Sequence, residues 1–153
     1  MADEFSSSVP LAPTRLVVLA MIAGIIVFAA VSLVLTPLIP DPGSMEKMLL
    51  LALGVVGLAQ ISGYVALRTV TLSRVRQQFA DNPSAQPADA FPSYNTLTLI
   101  RSAMSESFGL FGVVIFLLTG HYLALTAAAL SVILLVAGMP TLDGFRRFGE
   151  TAA

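Results

Sequence analysis

The stretch "LTLIRSAMSESFGLFGVVIFLLT", residues 97–119, decides the fold class, because it reads as a membrane-crossing helix with two unlike faces. At about 1.5 Å of rise per residue it is long enough to cross roughly 30 Å of bilayer hydrocarbon. Turned at about 100° per residue, Leu97, Ile100, Met104, Phe108, Phe111, Ile115 and Leu118 fall within an arc of about 80°. Ser102, Ser105, Glu106, Gly109 and Gly112 lie opposite them. The first face is bulky and suits lipid. The second is small and polar, and suits the close approach of another helix. Glu106 is therefore expected to face protein, and an ionisable side chain inside a span is a functional candidate by default.

The rest of the chain supports this setting. Of its 153 residues 56% are hydrophobic and 11% charged, against about 25% charged in soluble domains. Three further segments are long and apolar enough to cross: residues 16–39, 48–67 and 122–139. Pro37 and "PDPGS" end the first, and Pro140 closes the last. Backbone groups find no water in lipid, so these segments are expected to be helices, and the lack of period-2 alternation argues against a barrel. The expected fold is all-α: a polytopic membrane protein with four transmembrane helices arranged as two antiparallel hairpins. The expected divisions are a tail at 1–15, a first hairpin at 16–67, a connection at 68–96, a second hairpin at 97–139 and a tail at 140–153. The opening "MADEFSSSVPLAPTR" places acids before its first basic residue, so the first segment reads as a retained span rather than a cleaved leader.

Seven of the eight basic residues fall on one side of this arrangement: Arg15, Arg68, Arg74, Arg76, Arg101, Arg146 and Arg147. Lys47 alone falls on the other, beside Asp41 and Glu46. The positive-inside rule then places both termini in the cytoplasm of a cell membrane. Within the inner connection, "RTVTLSRVRQQFA" sets Leu72, Val75 and Phe79 at helical spacing, so the second helix is expected to continue beyond the bilayer or lie at the headgroups. "DNPSAQPADAFPS" is a proline-rich linker. Arg68, Arg74, Arg76, Arg101, Arg146 and Arg147 are expected at the membrane surface, with Arg101 snorkelling to phosphates. "GFRRF", residues 144–148, reads as a basic, aromatic surface anchor.

Several function classes drop out. A net charge of −1 gives no reason to expect nucleic acid. With no cysteine, thiol chemistry and Cys-ligated metals are excluded. His121 is the single histidine and reads as a solvated turn residue; no carboxylates lie at metal-ligand spacing, so neither metal nor cofactor is expected. Ser102, Ser105 and Ser107 have no base near them in sequence, and an enzyme is not expected. Gly54, Gly57 and Gly63 on the second span, with Gly109 and Gly112 on the third, are small-residue packing positions. Arg101 is about 140° around the helix from Glu106 and is poorly placed to neutralise it. Glu106 must therefore meet another helix, hold its proton or face a wet cavity, and Gln60 and Tyr64 are the candidate bridging partners.

"LTLIRSAMSESFGLFGVVIFLL" resembles the carboxylate-bearing helix of the proteolipid c subunit of rotary ATP synthases, with small residues, Ala-x-x-Glu and then a glycine-led apolar run. "LALGVVGLAQISGYVALR" loosely resembles that family's glycine-rich helix, and Arg76–Gln77 its polar connection. The resemblance covers about residues 48–118. It implies that Glu106 carries a proton or monovalent cation, with Gln60 or Ser105 as auxiliary ligands. The linker here is longer than the family's tight loop, the glycine repeat is sparser, and two further spans flank the pair. Two expectations follow. One is a small membrane protein that assembles through the small, polar face of its third helix, as a homo-oligomer or as a subunit or accessory component of a larger complex in the lipid bilayer. The other is proton or cation handling through Glu106.

Overall fold

The structure, a computed structural model, describes residues 11–35, 43–82 and 87–152. The tail before Leu11, Pro37 with most of the "PDPGS" turn, and linker residues 83–86 lie outside the described residues. The described residues are helical apart from short turns and helix ends, with no strand among them. The helices are α1 (Ala12–Val34), α2 (Ser44–Asp81), α3 (Phe91–Thr119), α4 (Leu125–Ala137) and α5 (Leu142–Ala152). Short 3₁₀ turns at Pro87–Ala90 and Tyr122–Ala124 lead into α3 and α4.

Local chemistry sets the ends. Pro13 and Pro92 stand in the first turns of α1 and α3, where a missing N–H costs nothing. Gly120 ends α3 in the left-handed region (φ 71°), and its N–H donates to the Phe116 carbonyl at 2.7 Å; a residue without Cβ enters that conformation freely. After α4 the chain bends by 80° into α5. Pro140 lies in the bend, where it supplies no N–H and steers Met139 away from helical angles.

Three helices, α1, α2 and α3, are long and apolar enough to cross a membrane, and a fourth is added if the bent pair of α4 and α5 counts as one span. Leu19, Ile26, Val27 and Leu33 on α1 are exposed, as are Leu51, Val55, Leu58 and Ile61 on α2. In water these stripes would form a costly apolar patch, whereas in lipid they meet their own kind of solvent. The 38 residues of α2 make a rod of about 57 Å, nearly twice the hydrocarbon thickness. The continuation expected after Leu67 is thus one unbroken helix to Asp81, with Val75 buried and Leu72 and Phe79 packed beside it.

The third helix is the hub: α1, α2 and α4 all pack on α3, and α1 also touches α4. The first two spans, expected to form one antiparallel hairpin, both pack on α3. The bulky face of α3, assigned to lipid from sequence, is in large part covered by α2, although Ile100 stays exposed. Ile115 is fully buried in a cluster with Leu53, Phe116, Ala124 and Ala127, and Phe108 lies over Gly57, where an added Cβ would come within 3.0 Å of the ring. On the opposite side Val18, Ile25, Val113, Ala128 and Leu135 join α1, α3 and α4. The third cluster (Val75, Ala90, Leu97, Phe145 and Phe148) joins the far end of α2, the start of α3 and α5.

Candidate functional site

The small face of α3 meets α4 at close range. A Cβ added at Gly112 would fall 2.7 Å from Ala127 Cβ, and one at Gly109 would fall 2.7 Å from Ser131 Cβ. Ser131 Oγ donates to the Ser105 carbonyl across this seam, and Ser102 is buried beside it. Sequence reasoning identified half of the seam and missed the other. Ala124, Ala127, Ala128 and Ser131 form a matching small-residue stripe, and their helical spacing was the available signal.

Glu106 lies on the shoulder of that face, toward α1 rather than α4. It is half-buried, and a Cβ added at Gly24 would meet its Oε1 at 3.9 Å. Among the described residues, no hydrogen bond or ion pair reaches its carboxylate. Gln60 does not bridge to it: Gln60 Nε2 donates to Ser107 Oγ at 2.9 Å, on the other side of α3. The reason is angular, since α2 sits over the bulky face, about half a turn from Glu106. Of the α2 glycines, Gly57 receives Phe108 and Gly63 receives Met104, whereas Gly54 has nothing within 4 Å.

The end of the bundle rich in arginine is tied by hydrogen bonds. The Arg101 guanidinium donates to the Gly138 carbonyl at the end of α4. Arg15 Nε donates to the Pro140 carbonyl at 2.9 Å, and Thr14 on α1 bonds Asn95 on α3. The last carbonyls of a helix lack intrahelical partners and carry partial negative charge, so cations suit this position. Arg101 was expected to snorkel to phosphates; the nearby end of α4 also offers it a carbonyl. Arg76 donates through Nε and Nη2 to the Thr151 carbonyl in α5, at 3.1 and 2.8 Å. Arg68, Arg74, Arg146 and Arg147 are exposed. The aromatic half of "GFRRF" is not a lipid anchor here. Phe145 and Phe148 are 2% and 9% exposed and stack against Tyr94, with Phe91 edge-on to Phe145.

At the opposite end His121 is paired rather than simply solvated. Its Nε2 is 3.2 Å from Glu46 Oε1, and its Nδ1 accepts from the Leu123 N–H at 3.3 Å. An acceptor at Nδ1 fits the tautomer that donates from Nε2, so the first turn of α2 is linked to the turn after α3. Among the described residues, no group of three His, Cys, Asp or Glu side chains is placed to hold a metal ion. No family model, curated protein or solved structure matches the chain.

Proposed function

We propose that the chain is a four-span integral protein of the cell membrane with both termini cytoplasmic, acting as a subunit or accessory component of a membrane complex. Pairing of the spans as hairpins would follow from this topology. The Glu106 carboxylate carries the reading: it is half-buried on the shoulder of α3 beside Gly24 and has no described partner. A donor on a second copy or on a partner helix would satisfy it, and Gly24 leaves room for that helix to approach. Gly109 and Gly112 are occupied by α4, so the free contact edge of the third helix is Glu106 and its α1 border. Purification in mild detergent, followed by identification of associated chains and sizing, tests this. Glu106→Ala should release the associated material while Glu106→Gln retains it, because the amide keeps both shape and hydrogen bonding. Equal retention by both variants removes Glu106 from the contact.

The same unpartnered carboxylate supports a second reading, implied by the c-subunit resemblance, in which Glu106 carries a proton or monovalent cation. A hydrophobic carbodiimide attacks protonated carboxyls reachable from lipid. The second reading expects labelling at Glu106, blocked in Glu106→Gln, together with loss of any ion-coupled activity. Full activity in Glu106→Gln would leave only the contact role.

A further inference from the structure

Two cavities meet where α2, α3 and the end of α4 converge. The first, about 350 Å³, is polar: Arg68, Arg101 and Arg147 line it together with Tyr64, Tyr94 and Thr98. Among the described residues that line it there is no carboxylate. Three cations around one space, without a counter-ion on its walls, form a ready receptor for an anion. The second, about 330 Å³, is apolar, with Ile61, Met104, Phe108, Leu130 and Leu134 on its walls. Tyr64, Arg101, Ala137 and Gly138 belong to both, so the charged space and the apolar one adjoin across these residues.

We propose that this double cavity binds a phospholipid with an anionic headgroup. The phosphate sits among Arg68, Arg101 and Arg147, and an acyl chain runs between α2 and α4 over Met104 and Phe108. Charge complementarity selects the headgroup. The adjoining apolar arm selects a lipid over a free phosphate, which would have no use for it. Arg101 retains further N–H donors beyond the one on Gly138, and α5 roofs the headgroup space through Gly144, Arg147 and Phe148. The depth is also suitable: Arg68 follows the last apolar residue of the second span, where headgroups begin. The proposal rests on the membrane setting, but not on the orientation or on any role of Glu106.

The purified, delipidated full chain in mild detergent is titrated with dioleoyl phosphatidylglycerol, dioleoyl phosphatidylcholine or glycerol 3-phosphate. Binding is read by native mass spectrometry and by the shift in unfolding temperature. The anionic lipid should bind at least about tenfold tighter than the zwitterionic one, and glycerol 3-phosphate should have no effect at the same concentration. Arg68→Gln and Arg147→Gln should each weaken anionic-lipid binding by about tenfold, the loss of one charge-assisted contact. Arg146→Gln, which removes the adjacent charge outside the cavity, should leave binding unchanged. Leu134→Trp should weaken binding by filling the apolar arm without touching a charge. Equal loss in Arg146→Gln and Arg147→Gln would mean diffuse surface attraction and would overturn the site. Equal binding of the two lipids, or of glycerol 3-phosphate, would overturn headgroup selection or the chain-binding arm respectively. Because all arms use the detergent-solubilised chain, they succeed or fail independently of topology and of the Glu106 contact.

Discussion

At Gly112 an added Cβ would lie 2.7 Å from Ala127 Cβ and closer still, 2.5 Å, to the Ala124 carbonyl. The crowding atoms at that position include backbone, which cannot turn aside as a long side chain would. Overpacking of this kind costs about 1–3 kcal/mol even when neighbours shift. Gly112→Leu and Gly109→Leu should therefore lower the unfolding midpoint in detergent clearly. Gly54→Leu should leave it unchanged, since nothing lies within 4 Å of that position. Phe111→Leu, on the face toward α2, keeps most of its volume and should cost less than either change at the α4 seam. A larger loss from Phe111→Leu than from Gly112→Leu would show that the tight α3–α4 seam is misplaced.

The element that differs most from its sequence expectation is α5. Its spacing of Leu142, Phe145 and Phe148 against Arg146, Arg147 and Glu150 is that of a helix lying at the membrane surface. The apolar side is instead covered by the far end of α2 and the start of α3, with Val75, Ala90 and Leu97 beneath the rings. Truncating a buried phenylalanine costs about 3–5 kcal/mol in a packed core. Phe145→Ala should thus free α5, seen as faster hydrogen exchange across residues 142–152 and 72–79, with α1 and α4 still protected. Arg76→Gln, which loses only an exposed contact to the Thr151 carbonyl, should produce a much smaller change. Unchanged exchange in Phe145→Ala would mean that α5 is held by lipid rather than by this cluster.

For the whole molecule the decisive quantity is orientation. The chain has no cysteine, so single cysteines at Ser44, Ser84 and Ala152 can be labelled without background. With seven basic residues on one side and Lys47 on the other, only position 44 should react with an impermeant thiol reagent added outside intact cells. Labelling of position 84 from outside would invert the proposed topology. Labelling of 152 alone with 44 would mean that α4 and α5 do not complete a fourth crossing.

Composition and periodicity by themselves determined that the chain is helical and apolar enough to cross a membrane, that the second helix runs on past Leu67, and that α3 carries a small, polar face. These follow from local rules: backbone groups must be satisfied within each segment where water is absent, and side chains recur every 3.6 residues. The partners of each face were decided only by tertiary structure. Leucine and phenylalanine are equally at home against lipid and against another helix, so hydropathy could not show that the bulky face of α3 is in large part covered by α2. Likewise hydropathy could not show that the Arg101 guanidinium reaches the Gly138 carbonyl, because the two are far apart in the chain. The same limit held for Gln60, which reaches Ser107 and not Glu106. The double cavity lay furthest from view, because Arg68, Arg101 and Arg147 are far apart in the chain and share one space only when three helices and the bend after α4 bring them together.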